Sequence, residues 1–188
     1  MDVLRITGRP VVIVTGEVTG ATNTLELDID SSVTVLWGAS YSGETSGLGN
    51  PLIMLTGSGT FEVAEGGSVT RTGRGYAIGS TGANATITVR GGSVDAIYSE
   101  GEGTTINVSG GSVEAIYSEA MDTTINVSGG AVGSMESNLF GEVPFVIITL
   151  DGTVTVSGGT VASAEDAILA SEVIISSEIG RASCRERG

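Results

Sequence analysis

The side chains able to do chemistry in this chain are mostly carboxylates. There are 22 Asp and Glu against eight Arg, with no Lys and no His, giving a net charge of −14 over 188 residues. Without His, the Ser-His-Asp and Cys-His nucleophile systems and His-ligated metals are excluded. Without Lys there is no Schiff base and no phosphate-loop lysine. What remains is acid–base work by paired carboxylates, or a lyase-type pairing of Asp with Arg. Asp95 with Arg71, Arg74 or Arg90 is the candidate for the second. A glycosidase needs two carboxylates facing across the scissile bond. In a chain this acidic such pairs arise by chance, and no long cleft-forming loop accompanies them. The expectation is a protein without enzyme activity and without a cofactor.

Two carboxylate pairs have a spacing that carries information. Asp95 and Glu114 are 19 residues apart, and so are Glu100 and Glu119. Tyr98 and Tyr117 share that spacing. The interval is a repeat. The segments beginning at Ala77, Ala96 and Ala115 read AIGSTGANATITVRGGS, AIYSEGEGTTINVSGGS and AIYSEAMDTTINVSGGA. Ile87, Ile106 and Ile125 coincide, as do Val89, Val108 and Val127, the paired glycines that follow, and Val94, Val113 and Val132. Looser copies flank them. Thr153–Val161 repeats the motif after an insertion around Phe140 to Asp151, and Thr60–Val69 is a longer version before it.

A 19-residue unit leaves little choice of architecture. Thr105-Ile106-Asn107-Val108 alternates polar and apolar residues, which is the strand signature, and it is rich in β-branched residues. Paired Gly then permits a tight corner. A second strand, Ser112–Tyr117, follows, and SEAMD returns the chain. No helix-containing repeat of the common kinds fits in this length. One unit cannot bury its own apolar face, but stacked units bury a continuous column. The fold class expected is all-β: a parallel β-solenoid, a right-handed β-helix with coils of about 19 residues. Ile87/Ile106/Ile125, Val89/Val108/Val127, Val94/Val113/Val132 and Ile97/Ile116/Met135 are predicted to point inward. A bend near Ala96 is required to send Ile97 inward and Tyr98 outward.

Stacking turns spacing into candidate sites. Tyr98 over Tyr117 makes a short aromatic platform of the kind that suits a sugar face, with Gly79 and Ser134 in the neighbouring coils. Asp95 over Glu114, and Glu100 over Glu119, bring like charges within ~5 Å, which is unfavourable unless screened or metal-bound. Calcium is the metal that such pairs would serve. The calcium-roll nonapeptide and the EF-hand loop are both absent, so these acids are read as solvated groups that keep the rod soluble. Thr86/Thr105/Thr124, beside Thr88/Asn107/Asn126, form an outward ladder. Its second column turns to Asn after one coil, which argues against an ice-binding face. The sequons at Asn84, Asn107 and Asn126 follow from the repeat and are expected in strands.

Two resemblances bear on the chain. Residues 178–187, EIGRASCRER, look like the translation of a common sequencing adapter. Residues 178–188 are therefore treated as a non-native, disordered tail, and Cys184, the single cysteine, goes with them. Without the tail, 20 acids and five Arg remain, a net charge of −15. The motifs GGSVEAIYSE and TTINVSGGSV resemble repeat segments of large secreted or surface proteins of gut Firmicutes, which are adhesin-like. That resemblance implies a β-helix and an extracellular or cell-surface location. It carries over no catalytic residue.

Residues 1–177 are expected to form a single solenoid, a fragment of a longer protein, with irregular lead-in coils over 1–60 and the clearest repeats over 61–170. Its function is expected to be structural or adhesin-like. A carbohydrate-binding module built on Tyr98 and Tyr117 is the alternative, and a polysaccharide lyase or hydrolase comes third. Surface glycans or cell-wall polysaccharide are the partners this implies. The negative charge argues against nucleic acid and anionic membranes, and an open terminal coil edge favours end-to-end self-association.

Overall fold

The computed structural model describes residues 3–8, 10–47, 49–133, 146–163, 167–176 and 184–186. Among them the chain is all-β and winds into a parallel solenoid of about seven coils. At ~4.8 Å per coil the stack is about 34 Å long.

Each coil contributes to three sheets, one more than the repeat predicted. The first sheet runs Val3–Ile6, Leu25–Ile29, Ile53–Leu55, Ile78–Ser80, the ends of Ser93–Ser99 and Ser112–Ser118, Ile147–Thr149 and Ile168–Ala170. The second runs Val11–Val14, Thr34–Trp37, Thr60–Val63, Thr86–Val89, Thr105–Val108, the starts of Thr123–Val132 and Gly152–Val161, and Glu172–Ile175. The third runs Glu17–Ala21, Ser40–Gly43, Ser68–Arg71 and the remaining halves of the long strands. The extra face comes from the bend. Val94 pairs with Val69 on the third sheet, whereas Ile97 pairs with Ile78 on the first. The expected turn at Ala96 thus divides one strand between two walls. Ala96 and Ile97 are both buried and Tyr98 faces out.

Apolar columns fill the interior. Phe61, Ile87, Ile106, Ile125 and Val154 stack in register on the second sheet, with Val63, Val89, Val108, Val127 and Val156 beside them. Ile53, Ile78, Ile97, Ile116, Ile147 and Ile168 stack on the first. Ile147, not Met135, therefore continues the isoleucine column, and Met135 and Ser134 lie outside the described residues. The inserted stretch lies between Gly133 and Val146, because Val132 still pairs with Val113 and Ile147 already pairs with Ile116. The lead-in coils keep the same register (Thr34 pairs with Thr60) but are longer, and Trp37, Tyr41 and Phe61 fill the wider section. At the other end, Cys184–Glu186 of the tail forms a strand on Ile168–Ala170, contrary to the expectation of disorder. An open sheet edge offers unpaired backbone groups to any extended segment.

Two corners dictate residue type. At the turn from the first sheet to the second, one residue in each of three successive coils has a left-handed backbone. Asn84, Gly103 and Asp122 occupy it, the types that tolerate that region. Asn84 therefore sits in an exposed turn, not in a strand as predicted, while Asn107 and Asn126 do lie in strands and bond to each other at 2.9 Å. At the next corner Gly92, Gly111, Gly130 and Gly159 all have positive φ. A Cβ on Gly111 would lie 2.5 Å from the Gly92 carbonyl oxygen, whereas one on Gly66 (φ +81) would meet nothing within 4 Å.

The interior also holds hydroxyls. Ser80, Ser99, Ser118 and Thr149 stack on the inner side of the first sheet, fully buried. Ser118 bonds Thr123 Oγ1 at 2.7 Å and accepts from the Ala120 amide at 3.2 Å. Among the described residues the other three hydroxyls have no hydrogen-bond partner.

Two outcomes are expected in chemical denaturation. Gly111→Ala loses more than about 2 kcal/mol, because backbone strain and a backbone clash combine, while Gly66→Ala loses only the ~1–2 kcal/mol of strain. Ser118→Ala loses about 1–3 kcal/mol by stripping the buried Thr123 hydroxyl, Ala120 amide and Ser99 carbonyl of a partner, whereas Ser99→Ala is neutral or stabilising.

Candidate functional site

The additional residues of the longer coils are spent largely at one corner, where the chain passes from the third sheet to the first. Residues 44–47, 49–52 and 72–77 belong there. In solenoids, insertions that share a face mark the working face.

Arg71 holds this corner together. Its Nη1 donates to Thr45 Oγ1 at 2.9 Å, to the Asn50 carbonyl at 2.7 Å and to the Tyr76 carbonyl at 3.1 Å, and its Nη2 donates to the Thr45 carbonyl at 3.3 Å. One guanidinium thus ties two successive loops to the third sheet. Burial works against its charge, and Glu44 and Asp95 oppose that effect. The Arg71 amide donates to the Asp95 carboxylate. Burial pushes the Asp95 carboxyl up, and the contacts with Arg71 pull it back. Of the three arginines weighed with Asp95, Arg71 is the one that the structure places beside it, through its backbone amide and its charge. The Arg71 guanidinium is engaged with the loops, Arg90 pairs with Glu62 at 3.2 Å on the second sheet, and Arg74 is exposed. Asp95 and Glu114 lie at the bend itself, between the paired positions Val94/Val113 and Ala96/Ala115.

Beside this corner the tyrosines meet. Tyr98 and Tyr117 are in register, with ring centroids 5.7 Å apart and planes 12° from parallel. The repeat did not reveal a third ring. Tyr76, carried by the 72–77 loop, stacks on Tyr98 at 4.5 Å and lies 6.4 Å from Tyr117. The two-ring platform expected for a sugar is thus part of a three-ring cluster, with all three rings half-buried.

Glu100 and Glu119 belong to this cluster and not to a separate acidic array. The Tyr98 hydroxyl donates to Glu100 and, at 3.2 Å, to Glu119, and the Tyr117 hydroxyl donates to Glu119 at 2.7 Å. Phenol protons thus bridge carboxylates that would otherwise repel across neighbouring coils. The same contacts oppose tyrosine ionisation. Tyr76 is pushed up to about 12, by burial first and then by Tyr117, Glu119 and Glu100. Tyr117 is pushed up to about 12, chiefly by its hydrogen bond to Glu119. Tyr98 is raised further, by burial first and then by Glu100 and Glu119. Among the described residues no group of three or more His, Cys, Asp or Glu could hold a metal ion.

On the opposite wall the threonine ladder is longer than predicted. Thr34, Thr60, Thr86, Thr105, Thr124 and Thr153 stack outward on the second sheet. Its companion column reads Leu36, Glu62, Thr88, Asn107, Asn126 and Thr155, which is chemically mixed.

Compared with protein-family models, with curated proteins and with solved structures, the chain matches none.

The raised tyrosines set an alkaline limit on stability. Their folded values lie above the ordinary value of 10.0 that the unfolded chain has. Their contribution is therefore complete below about pH 10 and is lost as pH rises through about 12. Denaturant midpoints followed across that window should fall with pH. In Tyr98→Phe, which keeps the ring and loses the proton, the fall should be shallower. Tyrosinate absorbance should develop late in the folded protein and at the ordinary value in denaturant.

Proposed function

We propose that this chain is a non-catalytic, stiff, acidic spacer in an adhesin-like protein of a bacterial surface, holding other parts of that protein apart. The observation that carries this reading is the unbroken parallel pairing that links every coil from Val3–Ile6 to Glu172–Ile175. Such a ladder resists bending, because tilting one coil strains hydrogen bonds on three walls together. Side chains that could have served chemistry are engaged in holding the rod. The Arg71 guanidinium ties loops, the tyrosine rings stack on each other, and their hydroxyls neutralise repulsion between Glu100 and Glu119. The negative charge keeps an elongated body soluble. The surface location rests on the repeat's resemblance to secreted proteins.

Pulled from tags at its two ends in a force spectrometer, the chain should unravel in steps. Each 19-residue coil releases roughly 60 Å. Smooth, compliant extension without steps would refute a load-bearing role. In parallel, a glycan array should give no signal above that of a Tyr98→Ala/Tyr117→Ala variant, and a polysaccharide panel should yield no new reducing ends or unsaturated products. Saturable glycan binding that the double variant loses would replace this reading with a carbohydrate-binding module.

A further inference from the structure

The outer side of a solenoid wall is ordinarily polar, and the second sheet obeys this with its threonine column. The first sheet does not. Beyond Val3 and Glu26 its outward column reads Met54, Gly79, Tyr98, Tyr117, Ile148 and Leu169, one residue per coil, in continuous register. The gap at Gly79 is filled from outside. A Cβ there would lie 2.7 Å from Pro51 Cγ and 3.3 Å from Met54 Cε, so the proline ring and methionine tip cover the glycine. The large side chains of this column are half-buried, and each keeps part of its surface in water. The stripe spans five coil spacings, about 24 Å at ~4.8 Å each.

Carboxylates flank the stripe on both edges, with Asp95 and Glu114 at the bend toward the third sheet. Along the edge toward the second sheet, Glu100 and Glu119 are exposed and accept from the tyrosine hydroxyls. Along the other edge, Arg71 is half-buried, with its guanidinium committed to the carbonyls of Thr45, Asn50 and Tyr76. An apolar and aromatic strip flanked by carboxylates, on a chain with net charge −14, is complementary to one kind of ligand. From this we infer that the outer face of the first sheet is a binding site for flat, elongated organic cations, which lie along the solenoid axis with their positive charge toward Glu100 and Glu119. Glu100 and Glu119 supply the attraction for the positive charge, and the half-buried apolar and aromatic side chains supply contact along the length of the ligand. The inference is independent of the spacer reading, since a rod with or without mechanical duty carries the same stripe.

The test is a fluorescence titration of the full chain with thioflavin T, a flat organic cation, at protein concentrations confirmed as monomeric by sedimentation. Saturable binding near one dye per chain is expected, with affinity falling severalfold on raising salt. Glu119→Gln should weaken binding about three- to tenfold. Ile148→Lys, which sets a cation on the stripe, should abolish it. Thr105→Lys on the second sheet is the control and should keep it to within about twofold, the residual effect of one distant charge. Circular dichroism establishes that each variant is folded. The inference is overturned if the dye does not saturate, if a neutral analogue lacking the ring charge binds equally well, or if Ile148→Lys binds like the parent. The last result would place the dye at the open coil ends.

Discussion

Everything in this molecule depends on the demand that each coil present its backbone donors and acceptors at the height of the next coil's. A parallel ladder on three walls leaves no freedom to drift. Once Thr86 is opposite Thr105, the corner glycines, the inner valines and the outer tyrosines must also coincide. Like therefore stacks on like. For isoleucine and valine this gives a dry core whose side chains repeat the same packing from coil to coil. For acids it creates repulsion, and the phenol protons of Tyr98 and Tyr117 relieve it. For glycine it explains why Gly92, Gly111 and Gly130 allow no side chain, since the neighbouring coil's backbone lies where a Cβ would go.

The same demand decides where length can vary. Additional residues must leave and rejoin the ladder without disturbing it, and the chain concentrates them at the bend between the third and first sheets. There Arg71 takes over what the missing strand hydrogen bonds would have done, pinning two loops with one side chain. The loop it fixes carries Tyr76 onto Tyr98, so a half-buried basic residue at a corner organises an aromatic stack on the wall beside it. Scaffold and candidate site are built from the same contacts.

Much of this was legible because exact repetition at 19 residues fixes both the fold and the inward columns. The bend at Ala96 was legible too, since Val94, Ile97 and Tyr98 cannot be reconciled on a straight strand. The third wall was hidden because the bend divides one apparent strand between two sheets. Ile147 was missed because register is kept by backbone bonding, and sequence alignment follows chain distance, which the insertion breaks. Tyr76 was missed for a related reason: it sits in an enlarged loop, outside the repeat phase, and reaches the ladder sideways. Asn84 misled in a different way. A strand position and a left-handed turn position look alike in a sequence until Gly103 and Asp122 are recognised as its counterparts.

The two coils that contain Tyr98 and Tyr117 lack corner insertions and superimpose residue for residue along the register. Each is bounded above and below by surfaces identical in kind. Such a unit can be copied or lost in the gene without any new interface having to be invented, because the joint formed after duplication is one that the protein already makes. Length then becomes a heritable quantity that changes in increments of one coil through slippage or unequal recombination, with composition and core unchanged. A lineage carrying this fold can adjust its reach as readily as other lineages adjust a surface side chain.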